Sequence, residues 1–505
     1  MKYKVKEPYR AFLYFQHIQM FQKKLSSLLL SFRLSHLECS AIITEIAATL
    51  DQIYLPEFVT QFDHWLKTQP PSDEDRYTQY FKKPDGEWNK SILSTNAWIE
   101  HLATHICDTT LRNIECFLKR LGDDFPEIQS KFLLNALSSY GALEILGGDR
   151  HENGQQPILL TLGGSRIIYK PRDAGVEPLL ETICILAGIP PVCPATLNKG
   201  TYLWQAFIEN RPLKAEADAG GVFHRYGVIL ALADLLNIND CHFENFIVDQ
   251  NHVYLIDPET SFQYFFEDNP EFVRSVYQSG LLQSPEVVMN GIGHTSAITA
   301  ITSTFKSYTR PHAINDASED IQVRYEQGFQ RRTQNYPHIN GNPVYASEYI
   351  DNVIHGYEEG YYKLLSCASE IYSAIENAGK IRPRYLIRTT AYYTLVMNKI
   401  IHPATSRHFH SKFDEIIAEY LNYEGAHPRF KTLIPYEAKC LSHFDIPIFY
   451  IDCKSTTLFS EDCEGIPDFL TKTPLEQIKS NFSRSPDYLI HQRELIAGSI
   501  HAHLR

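Results

Sequence analysis

The chain has 505 residues, of which 44% are hydrophobic and 21% are charged, and its formal net charge is −13. This length exceeds that of a typical single domain, so two or three packed units with a sizeable core are expected. The negative charge argues against broad nucleic-acid binding, which usually requires a basic surface. The pattern also predicts no membrane span, because no run of ~18 apolar residues is evident.

The 10 cysteines are scattered, and none of them forms a C-x-x-C pair. This spacing predicts neither a zinc knuckle nor a dithiol redox site. Free thiols in a reducing compartment are the simplest interpretation. Because the N-terminus also lacks the apolar core of a secretory signal, we expect a cytoplasmic protein.

Residues 1–146 are predicted to form a mainly helical region. Apolar residues recur there at three- and four-residue spacing in the segments 12–32, 37–50 and 97–121. No residue in this region points to a particular reaction. A helical cap, a partner-binding surface and plain structural helices all fit the pattern.

The character of the sequence changes at residues 147–154, GGDRHENG. The glycines around Asp149 and His151 allow the backbone to approach a ligand closely. Two apolar runs follow, at residues 158–162 and 166–169, and the Gly163-Gly164 pair between them is typical of a tight β-hairpin turn.

Lys170 ends the second of these strands, in the sequence YKPR. A lysine at this place can contact nucleotide phosphates, as the strand lysine of kinases does. An edge-strand lysine that prevents aggregation is the alternative interpretation. A helix is predicted to follow over residues 177–187, and we expect Glu181 on this helix to pair with Lys170.

The stretch 240–259, DCHFENFIVDQNHVYLIDPE, follows a predicted apolar helix at residues 228–236 and carries the clearest chemical pattern. Asp240 precedes Asn245 by five positions, the interval of a kinase catalytic loop. In such a loop the Asp accepts the proton of the substrate hydroxyl and the Asn holds a magnesium ion. The apolar run 253–256 predicts a buried strand that delivers Asp257 as a second metal ligand. A hairpin with a solvated acidic turn is the alternative.

After Asp257, residues 335–343 are predicted to form a turn-rich connector, and helical patterns resume at residues 347–377. In the segment 382–393, Arg384, Arg388 and a threonine are predicted to project from one helix face or from adjacent faces. Guanidinium groups beside a hydroxyl suit a phosphate site. A solvated basic helix face explains the same residues.

Taken together, these motifs resemble the dehydratase domain of class II (LanM-type) lanthipeptide synthetases. The resemblance runs from about residue 147 to the C-terminus. The matching motifs, in the order of the family, are GDRHENG (148–154), YKPR (169–172), YLWQAFI (202–208), FHRYGVILALADLL (223–236), DCHFEN (240–245), LIDPET (255–260), RYLIRTTAYY (384–393), His402-Pro403 and FDIPIFY (444–450).

The resemblance implies an α+β fold with a lipid-kinase-like, two-lobed catalytic core at residues 147–330. The helical region 1–146 would precede this core, and a mostly helical part at residues 331–505 would supply elimination residues. The resemblance also implies that ATP and Mg²⁺ are used to phosphorylate Ser and Thr of a ribosomally made precursor peptide. Elimination of the phosphate would then give dehydroalanine or dehydrobutyrine.

The resemblance assigns the candidate residues to two half-reactions. Phosphorylation would use Asp240, His242 and Asn245, with Lys170 and Glu181 at the nucleotide and with Asn245, Asp257 and Glu259 at the metal. Elimination would use Asp149, His151, Arg384 and Thr390. That step requires a base for the α-proton and cations for the departing phosphate, and these residue types supply both. The sequence does not decide which residue is the base.

The chain departs from the family in two ways that shape the expectations. It ends at Arg505, directly after the dehydratase-like part, without the Cys and His zinc motif of the family's cyclase. We therefore expect no zinc and no ring closure by this chain, and a separate cyclase as partner. The part before Gly147 is short for the family, which leaves the mode of leader-peptide binding open. The alternative functions are a peptide or protein Ser/Thr kinase without elimination and a non-catalytic nucleotide- or peptide-binding homologue.

Overall fold

A computed structural model describes residues 9–70, 75–81, 94–267, 274–286, 295–300, 304–308, 310–325, 327–332, 334–422 and 428–502. Helices and strands are mixed along the chain, which confirms the α+β class. The chain forms two compact units. Unit 1 takes in the described residues of Met1–Tyr169, Tyr308–Gln327 and Arg388–Pro447, and unit 2 those of Lys170–Ser307, Gly328–Ile387 and Ile448–Arg505. The boundary predicted at residue 147 falls inside unit 1, and the predicted segment 331–505 is divided between the two units.

The described residues form helices α1 (Phe15–Ser31), α2 (Ser40–Thr68), α3 (Arg76–Phe81), α4 (Ala97–Phe132), α5 (Val176–Leu186), α6 (Ala219–Leu236), α7 (Ile350–Ser366), α8 (Ala368–Asn377), α9 (Thr390–Ile401), α10 (Pro403–Ser406), α11 (Phe409–Leu421), α12 (Pro428–Lys431), α13 (Ile434–Ser442), α14 (Pro474–Asn481) and α15 (Pro486–Ala502). Short 3-10 helices lie at Tyr9–Leu13, Glu216–Asp218, Phe243–Asn245, Val276–Ser279 and Ala346–Glu348.

The strands are β1 (Leu37–Glu38), β2 (Gly141–Ile145), β3 (Ile158–Leu162), β4 (Ser165–Lys170), β5 (Thr196–Asn198), β6 (Leu203–Ala206), β7 (Phe246–Asp249), β8 (His252–Leu255), β9 (Thr304–Tyr308), β10 (His312–Ile314), β11 (Gln322–Arg324), β12 (Gln327–Arg331), β13 (His338–Ile339), β14 (Asn342–Pro343), β15 (Arg384–Tyr385), β16 (Phe449–Ile451), β17 (Leu458–Ser460) and β18 (Gly465–Ile466).

Unit 1 confirms the three helices predicted near the N-terminus, with changed bounds. Helix α1 is slightly shorter than the predicted segment 12–32, whereas α2 and α4 continue beyond the predicted ends at residues 50 and 121. The apolar stripes that predicted them are buried, for example Phe21, Leu25 and Leu29 on α1. Strands β2, β3 and β4 are antiparallel neighbours. Gly163 and Gly164 join β3 to β4 with φ angles of +55° and +88°. This left-handed pair is the tight turn that the sequence predicted.

Unit 2 is built around helix α6. The stretch Glu216–Leu236 is long and apolar enough to cross a membrane, but 78% of its apolar window is buried inside the protein. Its side chains belong to a core that also contains residues of α5, α7, α8, α14 and α15. An all-round apolar helix of this kind is explained by burial on every side.

Helices α6 and α7 approach each other through glycines. A Cβ atom added at Gly227 would overlap the backbone oxygen of Val353, and one added at Gly356 would overlap the backbone oxygen of His224. Because the obstacles are backbone atoms rather than flexible side chains, the two helices cannot adjust without moving apart. The close spacing of α6 and α7 therefore requires glycine at positions 227 and 356.

One local prediction was wrong. Arg384 lies on strand β15, which pairs with β16 in the register Arg384↔Tyr450, and not on a helix. The helix of this segment begins only at Thr390, after the cap residue Thr389. Arg384 and Arg388 therefore do not share a helix face, and they belong to different units.

The glycine contact gives a stability prediction. We expect Gly227→Ala to lower the free energy of unfolding by about 1–3 kcal/mol, because the added methyl group overpacks a backbone contact. Gly221 lies on the same helix with open space around its Cβ position, so Gly221→Ala is the matched control. Its expected effect is a gain of about 0.5–1 kcal/mol from helix propensity. Urea unfolding of both variants measures the difference, and equal stabilities would contradict the packing argument.

Candidate active site

A hairpin carries both Asn245 and Asp257 at its open end. Strands β7 and β8 are antiparallel, with Phe246 opposite Leu255. The pairing extends one step further, since the N–H of Ile256 donates to the backbone oxygen of Asn245 at 2.9 Å. Asn245 and Asp257 therefore leave the same open end of the hairpin. The hairpin interpretation of this stretch is correct, but Asp257 lies at the open end and not at the turn.

Hydrogen bonds to backbone oxygens hold the loop before Asn245. Asp240 has a left-handed φ of +57°. The Asn245 side-chain nitrogen donates to the backbone oxygen of Asp240 at 2.8 Å, and the N–H of Cys241 donates to Ser279 at 2.8 Å. His242 lies between the two functional groups, with Nε2 at 3.3 Å from Asn245 Nδ2 and 3.8 Å from Asp240 Oδ1. The structure thus brings Asp240, His242 and Asn245 together as the sequence predicted.

The electrostatic surroundings of Asp240 suit a proton acceptor. Burial raises its pKa, the neighbouring His242 and Arg384 partly offset that rise, and the carboxylates of Glu259 and Asp257 add to it. The side chain is still 38% exposed, so the carboxylate remains within reach of a substrate. A carboxylate with a raised pKa is a stronger base than an ordinary Asp, as proton abstraction requires.

Arg172 is the centre of the cluster around Asp257. Its Nη2 lies 2.7 Å from Glu177 Oε1 and 2.7 Å from Asp257 Oδ1, and its Nε lies 3.3 Å from Glu259 Oε2. Burial by itself would lower the pKa of Arg172, but the carboxylates of Glu177, Asp257 and Glu259 raise it well above the ordinary value. The guanidinium therefore stays charged and joins helix α5 to the segment after β8.

Lys170 contacts the same carboxylate as Arg172. Its Nζ lies 3.5 Å from Asp257 Oδ1 and donates to the backbone oxygen of Ile256. Burial would raise the pKa of Asp257, but Lys170 and Arg172 lower it to about 2. Asp257 is therefore an ionised carboxylate between two cations, and one third of its side chain is exposed.

The structure does not bring Glu181 to Lys170. Glu181 is exposed on α5, whereas Glu177, one turn closer to the start of this helix, is 2% exposed and contacts Arg172. Sequence reasoning missed both Arg172 and Glu177. The available signal was the arginine of YKPR, two positions after Lys170, followed by an acid in the first turn of the next helix.

Arg384 joins this cluster through Glu259. Its Nη1 donates to Glu259 Oε1 at 2.8 Å, and its backbone N–H donates to the backbone oxygen of Glu259 at 2.8 Å. A residue predicted for elimination is thus placed beside the residues predicted for phosphorylation. The two carboxylate oxygens of Glu259 contact Arg384 and Arg172, so Glu259 positions arginines in this structure.

The other elimination candidates lie in unit 1. His151 and the half-buried Asp149 are on the loop between β2 and β3, and Nδ1 of His151 is 2.8 Å from the backbone oxygen of Ile446. Thr390 is the first residue of helix α9. Arg388 pairs with the fully buried Glu437 at 2.8 Å, which explains this arginine structurally.

The predicted metal ligands fit Mg²⁺ in their chemistry. Among the residues that the structure describes, no group of three or more His, Cys, Asp or Glu side chains is arranged to hold a metal ion. Asp257 supplies an ionised carboxylate. The side-chain nitrogen of Asn245 is bound to the backbone of Asp240, so the side-chain oxygen is the atom that Asn245 can offer to a metal ion. Magnesium is commonly held by one or two such oxygen ligands, with water and substrate phosphates completing its shell.

Comparison with known proteins places these residues in a family. Residues 97–452 match the model of the domain of unknown function DUF4135. The chain belongs to this family. All of the candidate site residues lie inside the matched DUF4135 region.

The chain is also similar to the lacticin 481/lactococcin biosynthesis protein LcnDR2 of Lactococcus lactis subsp. lactis. The two sequences are 24% identical over 422 residues, which cover 77% of this chain and 44% of LcnDR2. The chain therefore spans less than half the length of this curated relative.

The Arg172 cluster predicts a large stability effect. Arg172→Met leaves Glu177 buried without its cation, and breaking a buried ion pair in this way typically costs about 3–5 kcal/mol. The double variant Arg172→Met/Glu177→Leu is expected to recover much of that loss. Arg211→Met is the control, because Arg211 pairs with Asp249 at the surface, with 53% of its side chain exposed. Urea unfolding compares the three, and a similar small loss in Arg172→Met and Arg211→Met would contradict the role of Arg172.

Proposed function

We propose that this chain is an ATP-dependent dehydratase of lanthipeptide biosynthesis. It phosphorylates Ser and Thr of a ribosomally made precursor peptide and then eliminates the phosphate, which leaves dehydroalanine or dehydrobutyrine. The single observation that carries the proposal is the hairpin end in unit 2. There the side chain of Asn245 bonds to the backbone of Asp240, and Asp257 lies between Lys170 and Arg172. Arg384 joins the same cluster through Glu259. The name of the relative LcnDR2 supports the class of peptide.

In the phosphorylation step, Asn245 and Asp257 would hold Mg²⁺ and Lys170 would contact the phosphates of ATP. Bound Mg²⁺ neutralises the negative charge that develops on the transferred phosphoryl group. Asp240 accepts the proton of the Ser or Thr hydroxyl, which its raised pKa favours. His242 lies against both Asp240 and Asn245 and restricts their movement. We assign this part of unit 2 to a lipid-kinase-like core.

In the elimination step, Arg384 would stabilise the departing phosphate as a fixed cation. Asp149, His151 and Thr390 supply the base and the hydroxyl of the same reaction. Because ATP is consumed and the 10 cysteines are free thiols, a cytoplasmic location is part of the proposal. The substrate is a Ser/Thr-containing peptide, and the formation of thioether rings is left to a cyclase activity.

The first test supplies the purified chain with ATP, Mg²⁺ and the Ser/Thr-rich peptide encoded closest to its gene. Mass spectrometry is expected to show the loss of one water molecule for each modified residue. A stable phosphopeptide would instead identify a kinase without elimination. A peptide of unchanged mass, with no ATP turnover, would identify a non-catalytic binding protein.

Two variants separate the half-reactions. Asp240→Asn is expected to slow phosphorylation by about 10²–10⁴-fold, because the proton acceptor is lost. Arg384→Ala is expected to let phosphopeptide accumulate. Arg382→Ala is the matched control, since Arg382 lies two positions from Arg384 and contacts Cys463 instead of the carboxylate cluster. Complete dehydration by Arg384→Ala would refute the assignment of this arginine.

A further inference from the structure

The turn that carries His151 has an unfavourable backbone. His151 and Gln155 pair through both backbone hydrogen bonds, at 3.4 and 2.6 Å. Between them, Glu152, Asn153 and Gly154 are all left-handed, with φ angles of +46°, +63° and +75°. For a residue with a side chain this conformation costs about 1–2 kcal/mol. Other contacts must therefore hold the turn in this shape.

Asp445 makes these contacts. Its Oδ2 accepts the N–H of Gly154 at 2.9 Å. Its Oδ1 lies 3.5 Å from Nε of Arg150. Asp445 and Arg150 are 3% and 4% exposed, so the ion pair is buried. A Cβ atom added at Gly154 would overlap the Arg150 guanidinium, which explains the glycine at this position.

Arg150 connects the turn to the helical part of unit 1. Its Nη1 and Nη2 donate to the hydroxyl groups of Thr110 and Thr109 on α4, at 3.3 and 3.0 Å. The residue after Asp445 closes the arrangement, because the N–H of Ile446 donates to the backbone oxygen of Arg150 at 2.7 Å. The turn is thus bound to α4 and to the segment around Asp445.

The same segment fixes the tautomer of the neutral imidazole of His151. Nδ1 of His151 lies 2.8 Å from the backbone oxygen of Ile446. A carbonyl oxygen only accepts hydrogen bonds, so Nδ1 carries the proton. In the neutral ring the lone pair then lies on Nε2. The geometry therefore distinguishes the two ring nitrogens, which the sequence does not.

We propose that Asp445 is a positioning residue that holds the His151 turn, so that Nε2 of His151 acts as the base of the elimination. This inference rests on the proposed function. Nε2 takes the α-proton of the phosphorylated residue, and the electrons of that C–H bond form the Cα=Cβ double bond. The Cβ–O bond breaks, and the phosphate leaves with its electron pair. The imidazolium then returns its proton to solvent, while Nδ1–H remains bonded to Ile446.

The test uses Asp445→Asn in the full chain, with the peptide that the wild-type chain dehydrates. We expect phosphorylation at the wild-type rate and elimination slowed by about 10²-fold, since a displacement of the order of an ångström has an effect of this size. The KM for the phosphopeptide should stay constant while kcat falls. A folded Asp445→Asn variant that eliminates phosphate at the wild-type rate overturns the proposal.

Glu57→Gln is the matched control for Asp445→Asn. Glu57 is a fully buried carboxylate of unit 1 that pairs with Arg407 at 2.7 Å, so its replacement also disturbs a buried ion pair. We expect lower stability and an unchanged ratio of elimination to phosphorylation. If Asp445→Asn does not fold, the neutral pair Arg150→Gln/Asp445→Asn replaces it, because this variant leaves no buried charge uncompensated.

A measurement without substrate separates this proposal from the proposed function. Nitrogen-15 NMR of histidine-labelled wild-type chain, with His151→Gln to assign the signals, is expected to show Nδ1 protonated and Nε2 unprotonated. The Asp445→Asn or double variant should lose this preference. A ring protonated at Nε2 overturns the inference even if dehydration occurs. If the wild-type chain neither phosphorylates nor dehydrates any peptide, the proposed function fails, and the role of Asp445 at Nε2 fails with it.

Discussion

The candidate site of unit 2 depends on the buried guanidinium of Arg172. It joins the first turn of α5 to the segment after β8 through Glu177, Asp257 and Glu259. Removing an arginine from water is costly, and this cost is offset only when well-placed carboxylates surround it. Arg172, which is bound by Glu177 and Glu259, in turn fixes the position of Asp257 beside Lys170. The position of Asp257 at the hairpin end therefore depends on one ion-pair network, while the strands that carry it are packed in the apolar core.

The charges of this network limit what can bind there. Three cations, Lys170, Arg172 and Arg384, are matched by the carboxylates of Glu177, Asp257 and Glu259. A highly charged anion that arrives alone has to displace one of these carboxylates from its partner. An anion that arrives with a divalent cation carries less net charge, and Asp257 then gains a third cationic partner beside Lys170 and Arg172. A phosphate that binds Arg384 likewise has to compete with Glu259 for the guanidinium. A stronger Arg384–Glu259 ion pair therefore lowers the affinity of Arg384 for phosphate.

The sequence predicted those features that local spacing determines. The long helices of unit 1, the Gly163-Gly164 turn and the Asp240–Asn245 interval all depend on residues close in the chain. The strand at Arg384 was missed because its partner, Tyr450, lies far along the sequence and its two residues carry no periodic signal. Glu181 was predicted and Glu177 was missed, because helical spacing gives the period of a helix but not which of its faces is buried. The Arg150–Asp445 pair joins residues 295 positions apart, which no local pattern reveals.

Arg150 in unit 1 and Arg172 in unit 2 have the same structural role, since each is a buried arginine that holds a loop through ion pairs. Arg150 pairs with Asp445, which also binds the His151 turn, and Arg172 pairs with Asp257 and Glu259 in the segment after β8. Apolar packing excludes water but is not directional, whereas a guanidinium donates along fixed directions and fixes the orientation of the backbone around it. Because the hydrogen bonds are made by buried charges, loss of one partner is costly, and the loop has few alternative positions.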